Sequence, residues 1–284
     1  MFAREENKME LQYTKLAQDF PARIVCLSYD VFNILYELGC AENIIGKPSG
    51  AEGDKISIEH VQNIGGFARP DFNAIVALNP DIVIGYSEIS AKIMARLIMH
   101  EVNVLVLQHA SLEEIYRSIG LLGKICSKTL EATALTNTMR EGFQKISASR
   151  PNQYHRPVVY FEEWNDPYVS GIKWVSDIIT IAGGTDGFTH RCRSPKAMER
   201  IITTEEVVTA APDIILASWC GKPVDIDSIR RRPGWELIPA ISQGHIYEVP
   251  GEIILQPGPA LIEGARYLNN IINQHTETEK VLSF

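Results

Sequence analysis

Short, wholly apolar runs of about four residues recur along the chain between stretches with helical spacing, and no other feature constrains the fold as tightly. They are Ile24-Val25-Cys26-Leu27, Ile82-Val83-Ile84, Val104-Leu105-Val106-Leu107, Val158-Val159-Tyr160-Phe161 and Ile214-Ile215-Leu216. A half-exposed strand alternates apolar and polar positions, so runs without alternation read as parallel strands covered on both faces. After the first run, Ser28-Tyr29-Asp30 leads into Phe32, Leu35, Tyr36 and Leu38 at helical spacing, and Gly39 supplies a stop. Strand, polar turn, helix and glycine form one α/β unit. A succession of such units predicts open parallel sheets with ligands at the carboxyl ends of the strands.

The chain also repeats itself. Ile75-Val76-Ala77-Leu78-Asn79-Pro80-Asp81-Ile82-Val83-Ile84-Gly85 returns as Val207-Val208-Thr209-Ala210-Ala211-Pro212-Asp213-Ile214-Ile215-Leu216-Ala217. A weaker echo pairs Leu35-Tyr36-Glu37-Leu38-Gly39 with Ile179-Thr180-Ile181-Ala182-Gly183. Two similar lobes follow, because one unit of this size cannot bury both faces of a sheet. Between the halves, residues 111–149 are the most strongly helical stretch. It opens on Ser111-Leu112-Glu113-Glu114, a capping box, and a second start at Ser127-Lys128-Thr129 leaves open one long helix or two consecutive ones. Pro151 and Pro157 bracket the return to strands.

At 284 residues with 45% hydrophobic and 22% charged residues, the chain has ordinary globular composition. A net charge of −8 repels phosphate backbones, so nucleic acid is not expected as a partner. No apolar run approaches the roughly 20 residues of a membrane span. The start, Met-Phe-Ala-Arg-Glu-Glu-Asn-Lys-Met-Glu, carries charge where a secretory signal carries its apolar stretch. The location expected of the sequence as it stands is cytoplasmic, or periplasmic or extracellular if a leader has been removed. Cys26, Cys40, Cys126, Cys192 and Cys220 are odd in number and never form Cys-x-x-Cys, so neither a disulfide framework nor a structural zinc site is expected.

The nucleophile elbow, zinc-protease, phosphate-loop and dinucleotide motifs are all absent, and no catalytic residue is assigned. His60, His100, His109, His155, His190, His245 and His275 never stand four apart, the spacing that places two metal ligands on one helix face. No metal site is assigned, and His190-Arg191-Cys192 reads as a solvated loop. The stronger signal is aromatic. Tyr29, Tyr86, Trp164 and Trp219 follow apolar runs, and Phe67 follows Gly65-Gly66. Five rings at equivalent sheet edges predict an aromatic-walled cleft. Trp219-Cys220-Gly221-Lys222-Pro223 and Gln256-Pro257-Gly258-Pro259 are expected at its floor. The latter precedes a helix near Ala260 whose free amides would face a polar ligand edge. Trp174 reads equally as a cleft or a core residue.

Ile24-Val25-Cys26-Leu27-Ser28 with Ile34-Leu35-Tyr36-Glu37-Leu38-Gly39, then Ile75-Val76-Ala77-Leu78-Asn79-Pro80-Asp81, Ile181-Ala182-Gly183-Gly184 and Pro212-Asp213-Ile214-Ile215, resemble the substrate-binding proteins of ABC importers for cobalamin and iron complexes, over roughly residues 22–274. The cobalamin branch is resembled most, through Phe161-Glu162-Glu163-Trp164, Ser170-Gly171-Ile172-Lys173-Trp174, Ser218-Trp219-Cys220-Gly221-Lys222-Pro223, Arg232-Pro233-Gly234-Trp235 and Leu255-Gln256-Pro257-Gly258-Pro259. The resemblance implies two Rossmann-like α/β lobes joined by a rigid helical linker, with the ligand in a cleft between them. The expected layout is an extension over 1–21, a lobe over 22–110, the linker over 111–150, a lobe over 151–274 and a tail over 275–284.

By the same resemblance the ligand is a corrinoid such as cobalamin, held non-covalently, with no cofactor required. Phe67 stands where the cobalamin binder has a tryptophan, and Tyr29, Tyr86, Trp164, Trp174, Trp219, Cys220 and Gln256 complete the expected ligand set. An ABC permease is the implied partner, met by one carboxylate per lobe. Glu205 fits one position, but the other falls on Asn73, whose neutral amide gives no charge-assisted pair. Two alternatives stand beside this reading. One is a haem or ferric-siderophore binder using Arg69, Arg191, Arg193 and Lys222. The other is a corrinoid- or tetrapyrrole-processing enzyme with Glu88, Glu162 or Glu163 at work in the cleft.

Overall fold

In a computed structural model, which describes residues 21–49, 58–86, 90–149 and 156–282, the apolar runs become the strands of two sheets. The chain divides into two compact units. The first takes the described residues up to Leu107 together with Ile119–Thr133; the second takes Gln108–Ser118 and the described residues from Ala134 on. The mixed α/β class expected from the alternation of strands and helices is the class observed.

The first unit runs β1 (Ile24–Cys26), α1 (Tyr29–Glu37), β2 (Ile44–Ser49), β3 (Gln62–Gly66), β4 (Arg69–Pro70), α2 (Phe72–Ala77), β5 (Ile82–Tyr86), α3 (Ala91–Ile98) and β6 (Val104–Leu107). Among the described residues its sheet has the order β4-β3-β2-β1-β5-β6, parallel except for β4. The central strand β1 is buried along its whole length, as a run without polar residues requires. Val25, Leu27, Ile64, Ile75, Val83 and Leu97 build the core on one side of the sheet. Gly39, with φ +75, ends α1 as expected: a left-handed residue there lets Cys40 N–H reach the Leu35 carbonyl at 2.9 Å.

The helical stretch forms two helices, α4 (Leu112–Ile125) and α5 (Thr129–Ala148), and the unit boundary passes through both. The capping box is present. Glu114 N–H donates to Ser111 Oγ at 3.3 Å, and the Glu114 carboxylate accepts Ser111 N–H at 3.0 Å and Ala110 N–H at 2.8 Å. Ser127, at φ 56, breaks the helix.

The second unit continues with β7 (Val158–Asn165), β8 (Tyr168–Ser170), α6 (Lys173–Ala182), β9 (Thr185–Asp186), α7 (Thr204–Ala210), β10 (Ile214–Ala217), α8 (Ile226–Arg230), α9 (Pro239–Ser242), β11 (Ile246–Glu248), α10 (Gly251–Ile254) and α11 (Leu261–Leu282). Its strands are ordered β11-β10-β7-β8, with β9 also on β7; only β8 runs antiparallel. All four tryptophans of the chain lie in this unit. Helix α11 runs through most of the positions expected to be a tail. The expected extension over 1–21 lies, except for Pro21, outside the described residues.

The sequence repeat is a structural repeat. Helices α2 and α7 each end on a non-glycine residue in the left-handed region, Asn79 at φ 47 and Ala211 at φ 43, and each is followed by proline, which cannot continue a helix. The aspartate after each proline then clamps the start of a neighbouring strand. Asp81 Oδ2 accepts Ala22 N–H and Arg23 N–H, both at 2.9 Å, and Asp213 Oδ2 accepts Val158 N–H at 2.7 Å. No described helix is long and apolar enough to cross a membrane.

Candidate functional site

In a parallel sheet the strands β7 and β10 deliver their carboxyl ends to the same edge, and Trp164 and Trp219 emerge there. Lys222, in the loop after β10, lies between them: its Nζ is 4.2 Å from the Trp164 ring centre and 5.1 Å from that of Trp219. The same Nζ donates to Asn165 Oδ1 at 2.8 Å. A cation shared by two indoles is held by their ring quadrupoles and keeps the rings together. Trp164 is half-buried, with its Nε1–H on the Asp166 carbonyl at 2.9 Å.

Trp219 is more deeply set, and its orientation comes from below. Its Nε1–H donates to Glu162 Oε1 at 3.0 Å. Glu162 is completely buried, and its carboxylate also accepts the Tyr160 hydroxyl at 2.9 Å and a two-pronged contact from the Arg232 guanidinium, one arm at 2.8 Å. Tyr168 and Trp235 pack their rings against that guanidinium, with its carbon 4.3 and 4.6 Å from their centres. Burial, and then the Glu162 charge, hold the Tyr160 phenol well above its ordinary range, so it stays a donor. A buried ion pair stabilises only when its remaining lone pairs are filled, and here Tyr160 and Trp219 fill them.

Glu163 is committed in the same way. Its two oxygens accept the Arg200 guanidinium at 2.7 and 2.8 Å, and Arg200 also donates to the Ser170 carbonyl. Of the carboxylates on which the enzyme alternative rested, Glu162 and Glu163 are therefore engaged by arginines, and Glu88 lies outside the described residues. Sequence reasoning treated these glutamates as cleft groups and missed the arginines. The available signal was the pair of carboxylates inside an otherwise apolar strand, since buried charge demands a buried partner.

The other expected ligand residues are placed as follows. Trp174 is interior: it is buried, and its Nε1–H goes to the Ile254 carbonyl at 3.0 Å. Cys220 is exposed beside Trp219, and Gln256 is half-buried after α10. The expected free amides near Ala260 are not free, because Leu261, Ile262 and Glu263 N–H bond the Gly258, Pro259 and Ala260 carbonyls. In the first unit Tyr29 opens α1, Tyr86 ends β5, and Phe67 sits in the two-residue turn between β3 and β4, each half-buried. Arg191 pairs with Glu206 at 2.6 Å, and Arg69 lies exposed on β4. Glu205 and Asn73 are both exposed in the first turns of the repeat helices α7 and α2.

Two cavities are lined by residues of the second unit. One, of about 490 Å³, is lined by Asn165, Tyr168, Thr203, Thr204, Ser228 and Arg232 among others. The second, of about 360 Å³, gathers Gln108, His109, Glu114, Lys173 and Arg193. His109 is buried, with its Nδ1 3.1 Å from Ser118 Oγ, and burial lowers its pKa to about 4, so it is a neutral hydrogen-bonding group near pH 7. No group of three or more His, Cys, Asp or Glu side chains suited to a metal occurs among the described residues.

Comparison with known proteins places the geometry in a family. Residues 24–253 match the profile of the family described as "Periplasmic binding protein". The uncharacterized ABC transporter substrate-binding lipoprotein YvrC of Bacillus subtilis strain 168 is 24% identical over 268 residues, 91% of this chain and 82% of its own. Among solved structures, the periplasmic heme-binding protein RhuT from Roseiflexus sp. RS-1, in apo form, superposes with a TM-score of 0.75 at 22% identity, covering 89% of this chain and 98% of that one. The periplasmic vitamin B12 binding protein BtuF of Vibrio cholerae gives 0.67 at 16% identity, covering 90% and 98%. With the family profile spanning most of the chain and both sheets matching the fold, this chain belongs to the periplasmic binding protein family.

Proposed function

We propose that the protein is the substrate-binding component of an ABC importer and captures a corrinoid, or a similarly bulky flat metallo-complex, without covalent chemistry. The observation that carries the reading is the indole pair Trp164 and Trp219, bridged by Lys222 and fixed from beneath by the Glu162–Arg232 pair. A large planar ring held rigid buries much ligand area at little entropic cost; half-buried Trp164 offers that ring, and Trp219, 6% exposed, backs it from the core. The likeness to the vitamin B12 binding protein BtuF supports the corrinoid, and Glu205 is the exposed carboxylate through which a permease would be met.

A second reading, haem, is favoured by a different observation: Lys222 and Arg193 place cations at the strand edge and in the smaller cavity, where ligand carboxylates would sit, while Lys173 beside Arg193 is paired with Asp177. The likeness to the heme-binding protein RhuT supports it too. One titration separates them. Purified full-length protein is titrated with hydroxocobalamin and, separately, with haemin, followed by visible absorbance. Saturable corrinoid binding, weakened about tenfold or more in Trp164→Ala and by a smaller factor in Lys222→Gln, is the expected result. Binding of haemin alone, weakened by Lys222→Gln, replaces the corrinoid with haem. Binding of neither overturns both readings.

A further inference from the structure

The seven histidines never stand at helical ligand spacing, yet the fold of the second unit brings two of them together across 30 residues of sequence. His245 leads into β11 and His275 rides on α11. Their Nδ1 atoms are 3.0 Å apart, their ring planes are nearly perpendicular at 88°, and their ring centres are 4.5 Å apart. The ring at 245 sits on a pinned backbone: His245 N–H donates to the Ala240 carbonyl at 2.8 Å, and its own carbonyl accepts Ile215 N–H at 2.9 Å. His275 is 3% exposed, whereas His245 is half-exposed, so the pair is preorganised on one side and open to solvent on the other.

Two imidazole nitrogens facing each other share at most one proton between them. The other nitrogen offers a lone pair, and when the donor ring shifts its proton to its own Nε2 both Nδ1 atoms present lone pairs that one metal ion satisfies. Metal–imidazole bonds of about 2.0–2.1 Å, meeting at angles from square to tetrahedral, set the two nitrogens about 2.8–3.4 Å apart. The observed separation falls in the lower half of that range, so binding needs no more than a slight opening of the pair. We propose that His245 and His275 form a two-ligand site for a divalent transition ion of the imidazole-preferring class, Zn²⁺, Ni²⁺ or Cu²⁺. No third His, Cys, Asp or Glu joins them among the described residues, so water completes the coordination and the ion exchanges readily. The bound ion would tie the second half of α11 to the turn before β11.

The test uses the full-length, tag-free protein with the exposed Cys220 thiol alkylated by iodoacetamide, because an accessible thiolate competes for the same ions. NiCl₂ and ZnCl₂ are titrated in separate calorimetric runs. One saturable site is expected, weakened by about tenfold or more in His245→Ala and in His275→Gln and unchanged in His60→Ala, an exposed control. A second readout guards against misfolding: Ni²⁺ should raise the melting temperature of the parent protein and of His60→Ala, but not of the other two variants. Absence of a saturable site at millimolar ion, or a site that survives loss of either histidine, overturns the proposal and leaves a hydrogen-bonded imidazole pair only.

Discussion

The two units place the same backbone in the same register and fill one position in opposite ways. Cys26 pairs with Ile84 in the first, and Phe161 with Leu216, 132 positions on from Ile84, in the second. The next residues are then Leu27 and Glu162, both fully buried. Leu27 needs only apolar neighbours such as Val25, Ile64 and Val83. Glu162 needs Arg232, Tyr160 and Trp219, from three separate parts of the unit. The apolar solution spreads its contribution over many weak contacts, whereas the charged one concentrates it in a few groups that fail together.

The largest expected effect tests that contrast. Arg232→Met should destabilise the second unit by about 3–5 kcal/mol, because it leaves the Glu162 carboxylate buried without a counter-ion, while pairing it with Glu162→Leu should recover most of the loss. Leu27→Ala should cost the first unit about 2–5 kcal/mol through the lost transfer energy and the cavity. Urea titration reads all three, and a double variant as unstable as Arg232→Met would break the comparison.

Acid should next separate the units by sign. His109, in the second, is lowered by burial from 6.5 to about 4. The unfolded chain therefore binds the proton more readily, and the stabilisation, complete above pH 6.5, is lost as pH falls toward 4. Asp30, in the first, is raised by burial from 3.8 to about 6, so its native state takes up the proton first and its contribution falls as pH rises from 3.8 to 6. Each slope is limited to roughly 1.4 kcal/mol per pH unit. His109→Gln should flatten the acid loss of the second unit in urea midpoints measured across this range, and Asp30→Asn should remove the opposite slope in the first.

Smaller effects sit at the repeated helices. Asp71 caps α2 by accepting Asn73 and Ala74 N–H, and Thr203 caps α7 in a box with Glu206. Alanine at either position should cost about 1 kcal/mol, equal between units if the repeat is energetically as well as geometrically matched. At the helix ends the match is imperfect. Asn79 tolerates its left-handed backbone and Ala211 does not, so Ala211→Gly should stabilise by about 0.5–1 kcal/mol where Asn79→Gly changes little, both read as shifts in denaturation midpoint.

Much of the scaffold was legible before any coordinates. Uninterrupted apolar runs announce strands buried on both faces, and the repeated Pro-Asp marks a helix end and a strand clamp because each residue has a local physical job. Even the weak echo of Gly39 in Gly183 holds, since both end helices at positive φ. The candidate site was legible in part. Trp164 and Trp219 were expected at strand exits because strand ends are a local property. Their bridging by Lys222 was not read from the sequence, and neither was the anchoring of Trp219 through Glu162 to Arg232, which depends on how loops 57 and 70 residues away fold back. Trp174 was ambiguous for the same reason, since only its contact with Ile254, 80 positions on, assigns it to the interior.

With every indole of the chain in the second unit, ultraviolet excitation at the red edge lights up one half of the molecule and leaves the other dark. Emission therefore follows the melting and ligand occupancy of that half alone, while circular dichroism sums both. Any gap between the two signals on heating or in denaturant measures how far the halves unfold independently, without a label being added.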